Sequence, residues 1–285
     1  FEVTFRPYNR TPFVHSFLYF ANTGVHTSEE YQVIFPPSTQ FGTYHGKNQF
    51  VRWPVSHEVY NRVDYTEGVD ISWWKNHPEW TSIFAWNYED DFVGGYDHGK
   101  EAGIMLVSNH HIAPGKKFWT WSTGPRGKMW DEALTETDGP ELELMVGGYS
   151  DNQPDYSWLQ PYESRYLRQY FYPIREIGSV KNANVEAAVN LEITGKDRVR
   201  IGLNTTSRRE DAKVLLTGGG ESLFSERITI DPENPWSAEV RIPGGIQESS
   251  LRIALYSADG EELISYSPEV KVETEMPGPA AVSYT

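Results

Sequence analysis

Short runs of alternating apolar and polar residues, broken by turn residues at regular intervals, run through the whole chain. In the first half the runs Phe13–Phe20, Tyr31–Phe35, Ile104–Val107 and Leu142–Val146 predict strands. Pro7-Tyr8-Asn9, Asn22-Thr23-Gly24, Pro36-Pro37, Gly94-Gly95, Pro114-Gly115, Asp138-Gly139 and Gly147-Gly148 predict the turns between them. Helical periodicity is nearly absent. One short helix is expected at Met129–Leu134, and Trp158–Tyr172 reads as a loop with a turn of helix. The pattern is that of an all-β sandwich or barrel.

The character changes between Ile177 and Val185. Beyond that point there is one tryptophan, Trp236, and no histidine. Val185–Ile193, Val199–Leu203, Ala212–Leu216, Ser225–Ile230, Ala238–Ile242, Ser250–Tyr256 and Leu263–Ser267 follow as about seven strands, the spacing of an immunoglobulin- or fibronectin-like sandwich. Asp259-Gly260 between Leu255-Tyr256 and Leu263-Ile264 predicts a hairpin. The expected division is 1–180, a larger β domain; 181–272, a smaller β-sandwich; and 273–285, a Pro-containing linker.

Charge and composition narrow the partners. The net charge is −15 with a pI near 5.0, so the basic face that nucleic acid requires is missing. No apolar run is long enough to span a membrane. Without cysteine there is no disulfide, thiolate metal site or thiol nucleophile. The chain starts at Phe1 without a signal peptide, as a processed protein or a piece of a longer one would. A periplasmic or secreted location is expected.

Nine of the ten tryptophans lie between Trp53 and Trp158, and all eight histidines at or before His111. Indoles interleaved with Asp, Glu, Asn and His suit a wet cleft, because each indole N–H needs a partner. Sugars lay C–H faces on indole rings and give hydroxyls to carboxylates. A large aromatic core is the competing reading. In Glu141-Leu142-Glu143 the period of two places both carboxylates on one face, with Asp131 and Asp138 close in sequence. Trp119 and Trp121 likewise share a face. Asn109-His110-His111 sets adjacent rings toward opposite faces of a strand, so they would not chelate one metal. The acidic loop Glu89-Asp90-Asp91 leads to Gly94-Gly95 and to Asp97 beside His98. It reads as a solvated turn, an oxygen-ligand cation site or a cleft rim. Trp73-Trp74 and Trp80 with His77, then His45 and Trp53, complete the aromatic set. Phosphate-loop, dinucleotide, Gly-x-Ser-x-Gly and His-Glu-x-x-His motifs are absent. No metal or cofactor is expected.

Several segments, in order, resemble a bacterial family: the domain of unknown function that often precedes tetratricopeptide repeats. They are Tyr8-Asn9-Arg10-Thr11-Pro12, Tyr19-Phe20-Ala21-Asn22, Arg52-Trp53-Pro54 and Asp91 to Asp97, then Pro114-Gly115-Lys116-Lys117-Phe118-Trp119-Thr120-Trp121, Trp130-Asp131-Glu132-Ala133-Leu134-Thr135, Asp138-Gly139, Glu141-Leu142-Glu143-Leu144, Asn152-Gln153 and Leu159 to Glu163. The resemblance covers about residues 1 to 180. It implies part of a galactose-mutarotase-like supersandwich followed by a smaller β-sandwich, with further strands before Phe1 and a helical-repeat domain after the exit in a longer parent chain. Glu143 resembles the mutarotase base. The early strand reads Tyr19-Phe20-Ala21-Asn22, without the mutarotase histidine.

The leading expectation is a glycoside-hydrolase-type carbohydrate module. Glu143 is its first carboxylate, and Asp131, Glu141 and Asp97 are candidates for the second. Trp53, Trp73, Trp119, Trp121 and Trp130 would stack on sugar, with His110, His111 or His45 donating to oxygen. A non-catalytic sugar-binding module, an epimerase or mutarotase, and a scaffold with an aromatic core are the alternatives.

Overall fold

The computed structural model describes residues 1–45, 49–149, 157–270 and 272–278. Asn152-Gln153 and the last part of the expected linker, 279–285, lie outside the described residues. The architecture is all-β: two facing sheets in the first part, followed by a smaller β-sandwich.

Two sheets face each other in the first part. The six-stranded sheet runs in the order Phe20–His26, Glu141–Gly147, Gly115–Thr120, Thr81–Trp86, Phe41–Thr43, Phe50–Arg52. The five-stranded sheet runs Glu2–Phe5, Leu167–Arg175, Ala102–Val107, Phe92–Asp97, Tyr31–Ile34. Alternation explains the core between them. Leu142, Leu144 and Val146 point inward beside Phe118, Ile83 and Val51, and meet Val33, Val93, Leu106 and Leu167 from the opposite sheet. Trp53 belongs to this core, 8% exposed against Phe35 and Phe118, and lines a cavity beside the second part, so the fold does not bring it to Trp119 and Trp121.

The central strands of the five-stranded sheet are covered on both faces. Its outer side chains Ile34, Phe92, Tyr96, Met105, Val107 and Ile174 pack on Ile177, Val180, Ala183 and Ala188 at the start of the second part. The second part is two four-stranded sheets. One contains Asn182–Ala183, Ala187–Gly195, Arg198–Thr205 and Trp236–Arg241. The other contains Glu221–Ile230, Arg209–Gly218, Leu251–Tyr256 and Glu262–Tyr266. Val189, Leu191, Ile201, Val214, Leu216 and Ile253 fill the space between them.

Several expectations change, and the expected turn Asn22-Thr23-Gly24 lies inside the strand Phe20–His26. Trp158–Tyr172 is largely strand, carrying Ser157–Leu159 and the start of Leu167–Arg175. Its aromatic-rich sequence alternates with polar residues because it pairs with Ala102–Val107 on one side and Glu2–Phe5 on the other. The helix begins earlier than expected, at Pro125, and runs to Leu134. Gly94-Gly95 lies inside a strand. A side chain at Gly95 would run into the Tyr31 ring, and one at Gly103 would stand 2.2 Å from the Gly95 carbonyl oxygen. Glycine here permits close approach of chains, not a turn.

Gly103→Ala is therefore expected to destabilise the protein by roughly 1–3 kcal/mol through overpacking, read from the urea unfolding midpoint. His77 gives a second test. It is 1% exposed, donates from Nε2 to the Ile71 carbonyl oxygen at 2.9 Å, and has a buried Nδ1 without a partner. Burial brings its pKa down to about 4. The folded value lies below the unfolded one, so the unfolded chain binds the extra proton. The stability His77 contributes is whole above about pH 6.5 and is lost as pH falls toward 4. Chemical unfolding between pH 7 and pH 4 is expected to show a shallower acid loss in His77→Gln than in the parent.

Candidate functional site

Burying one face of the six-stranded sheet turns the other outward. Trp119 stands opposite Glu143, which stands opposite Gly24. Lys117 stands opposite Met145, which stands opposite Asn22. These rows open a cleft of about 460 Å³ lined by Tyr19, Phe20, Asn22, His45, Lys117, Trp119, Trp121, Glu143, Met145 and Tyr149, with Leu18 at its rim. Phe20 lies across Gly115 and Gly147, where any Cβ would strike its ring. Its edge-to-face contacts with Phe84 and Tyr149, 5.8 and 4.8 Å between centroids, make an aromatic floor.

The polar groups are held in fixed pairs. Asn22 Nδ2 donates to Glu143 Oε2 at 2.7 Å. Lys117 is 6% exposed, and its Nζ lies 3.0 Å from His45 Nε2 and over the faces of Phe84 and Phe20. His45 Nδ1 bonds to the Ser82 hydroxyl. Burial brings the Lys117 pKa down to about 8, against the opposing pull of Glu143. Burial, then the neighbouring lysine, brings His45 down to about 4, so its ring is neutral at ordinary pH.

The wall is a run of indoles. Trp80 stacks on Trp119 at 5.6 Å, Trp119 meets Trp121 edge to face at 5.2 Å, and Trp121 stacks on Trp130 at 4.7 Å. Trp130 comes from the helix Pro125–Leu134, which carries Asp131 to the same end of the cleft. Glu141 sits there too. Its carboxyl is pushed up by burial and then by the charges of Glu143 and Asp131. Asp131 is also pushed up by burial. The Trp119 indole nitrogen is buried and has no hydrogen-bond partner.

Of the residues singled out in the sequence, Glu143, Trp119, Trp121 and His45 line the cleft, and Glu141, Asp131 and Trp130 stand at its Trp121 end. The others lie elsewhere. Asp97 is on the five-stranded sheet, 4% exposed, accepting from the Ser28 hydroxyl and from the backbone N–H groups of Gly99 and Lys100. It closes a turn. His110 is tied to Asp91 at 2.7 Å, and His111 packs on its ring at 3.9 Å in a turn, not on opposite faces of a strand. Trp73 donates to Asp70 and rests on His98. Among the described residues no group of three or more His, Cys, Asp or Glu is placed to hold a metal ion.

Residues 1–175 match the model of a domain of unknown function, DUF5107. The chain belongs to the DUF5107 family. Residues 182–266 match the second domain of YphG-like proteins. Among solved structures, this DUF5107 chain is similar to a TPR-domain-containing protein from Parabacteroides distasonis. The identity is 18% and the TM-score 0.47, over 60% of this chain and 27% of that one. It is also similar to a candidate aldose 1-epimerase from Klebsiella pneumoniae. There the identity is 10% and the TM-score 0.40, over 60% of this chain and 41% of that one. The DUF5107 chain therefore spans about a quarter and two-fifths of those two proteins. Among its described residues no helix is long and apolar enough to cross a membrane.

Sequence reasoning missed Lys117, Asn22 and Ser82. Lys117 was legible, because it lies two residues before Trp119 on a strand and so shares its face. Asn22 and Ser82 reach the site only through strand pairing. A larger cavity, about 530 Å³, lies between the five-stranded sheet and the second part. Its Gln32 amide oxygen is already engaged by Ser179 and His98, and the residues on its walls include neither a histidine nor Glu143. The chemistry concentrates in the outer cleft. His45→Leu is expected to leave the Lys117 ammonium without its acceptor and lower its pKa further, read by titrating the lysine Nζ with ¹⁵N NMR.

Proposed function

We propose that this DUF5107 chain is a carbohydrate-active module that performs acid–base chemistry at the anomeric carbon of an aldose held in the outer cleft. The observation that carries the reading is one ionisable carboxylate, Glu143, facing a wall of indoles with Trp119 directly opposite it. The indoles supply the flat apolar surface that sugar C–H faces take. Asn22 fixes the Glu143 carboxylate through one oxygen, and the carboxylate lines the cleft, where it can accept a hydroxyl proton.

Glycoside hydrolysis is the second reading, and Glu141 favours it. A protonated acid beside an ionised carboxylate is the pairing that reaction uses, and the raised Glu141 carboxyl lies two residues from Glu143 on the same face. We also propose that the carbohydrate-active unit ends near residue 180, that residues 181–272 form a packing partner for the five-stranded sheet, and that 273–285 links onward.

Proton NMR of free aldoses and of an oligosaccharide panel separates the readings. Faster exchange between α and β signals of a free aldose supports the first, and new reducing ends support the second. Saturation transfer with an unchanging spectrum would reduce the module to sugar binding. Glu143→Gln is expected to lower turnover by about 10²–10⁴-fold while saturation transfer persists. Trp119→Ala is expected to abolish saturation transfer with little change in thermal unfolding.

A further inference from the structure

We propose that Lys117 is the proton donor of this cleft, and that His45 and Ser82 are positioning residues that hold its ammonium toward the sugar. The inference rests on the aldose reading above.

The placement follows from strand register. Trp119 pairs with Glu143 and Lys117 with Met145, so Lys117 and Glu143 are diagonal neighbours on one face. Diagonal partners in an antiparallel pair stand about 7–8 Å apart, which leaves room for a sugar ring between base and acid. Both side chains line the same cleft.

The hydrogen-bond chain assigns the tautomer. A lysine ammonium has donors and no acceptor. Its 3.0 Å contact therefore makes His45 Nε2 the unprotonated nitrogen, and Nδ1–H donates to the Ser82 oxygen. The Tyr60 hydroxyl donates to the Ser82 carbonyl oxygen at 2.8 Å and anchors that point of the strand. One Nζ–H is spent on His45, the Phe84 and Phe20 faces lie against the ammonium, and Lys117 lines the cleft. The titratable groups around Lys117 in the cleft are His45, Glu143, Tyr19 and Tyr149. With a value of about 8, Lys117 is charged at neutral pH yet releases its proton more readily than an exposed lysine does.

The step balances without a co-reactant. Glu143 takes the proton of the anomeric hydroxyl, C1=O1 forms, and the C1–O5 bond breaks with its electron pair on O5. O5 takes a proton from Lys117. After rotation about C1–C2 the aldehyde presents its other face. O5 attacks C1, its proton returns to Lys117, and Glu143 returns its proton to O1.

The test follows the rate of α/β exchange for a panel of free aldohexoses and aldopentoses, with saturation transfer as the binding readout and ¹⁵N NMR of the histidines as the tautomer readout. Lys117→Met is expected to slow exchange by about 10²–10⁴-fold with saturation transfer retained. His45→Gln keeps an acceptor for Lys117 and a donor for Ser82. It is expected to stay within about tenfold of the parent rate, whereas His45→Leu shifts the alkaline limb of the pH–rate profile. Parent-like exchange in Lys117→Met would overturn the donor assignment. An Nε2–H tautomer at His45, seen in the unsubstituted protein, would overturn the positioning assignment whatever the substrate. If the parent accelerates exchange of no aldose in the panel, the aldose reading fails and the donor role falls with it, while the tautomer result still decides the His45–Ser82 arrangement.

Discussion

One constraint shapes the first part of this protein: the strands Gly115–Thr120 and Glu141–Gly147 each have one face in the core. Phe118, Leu142, Leu144 and Val146 are all fully buried. With a side-chain period of two, burying them leaves Lys117, Trp119, Glu141 and Glu143 no direction but outward. A one-residue slip would exchange the two sets and bury two carboxylates, so the same burial that drives folding fixes the site's register. The five-stranded sheet contributes through its central strands, which are covered inside by the six-stranded sheet and outside by Ile177, Val180, Ala183 and Ala188. This leaves the outer face of the six-stranded sheet as the wet face of the assembly.

Legibility in the sequence tracked how local the determining physics is. The seven strands expected in the second part are present, with bounds shifted by up to four residues, and the short strand Asn182–Ala183 was missed. The seven alternate and are separated by glycine turns such as Gly219-Gly220 and Gly260, which adopt positive φ. Phe92–Asp97 was not readable by alternation, because all six residues are buried. Gly94-Gly95 mimicked a turn for a related reason: glycine there makes room for Tyr31 and Met105. Trp53 and Asp97 were singled out with Glu143, but the fold does not bring them to its cleft. An indole wedged between Phe35 and Phe118 and a carboxylate saturated by a turn carry the same letters as functional ones, and only tertiary packing distinguishes them. Glu143, Trp119 and Trp121 were legible because a strand period alone puts them on one face.

Holding a lysine nine-tenths out of water in a protein of net charge −15 asks for compensation. The cleft supplies it with little formal negative charge. Two phenyl faces and a neutral imidazole contact the ammonium, and Glu143 acts on it through space. Neutral contacts stabilise the cation while leaving it easier to deprotonate than an ion pair would. The opposite end of the cleft is arranged the other way. Burial, and then the charges of Glu143 and Asp131, push the Glu141 carboxyl up, and burial pushes Asp131 up as well. The cleft therefore runs from a site that loosens a proton on nitrogen to one that retains a proton on oxygen.

That gradient gives the indole wall a directional meaning. Trp119 lies beside His45 at the cationic end, and Trp121 with Trp130 lies beside Glu141 and Asp131 at the acidic end. On the proposed carbohydrate reading, a single sugar ring on Trp119 would meet Glu143 and Lys117, and a chain long enough to reach Trp130 would also meet the raised carboxyls. The aldose and glycoside readings thus belong to different lengths of ligand on one surface, and Glu143, common to both, stands where the two lengths overlap.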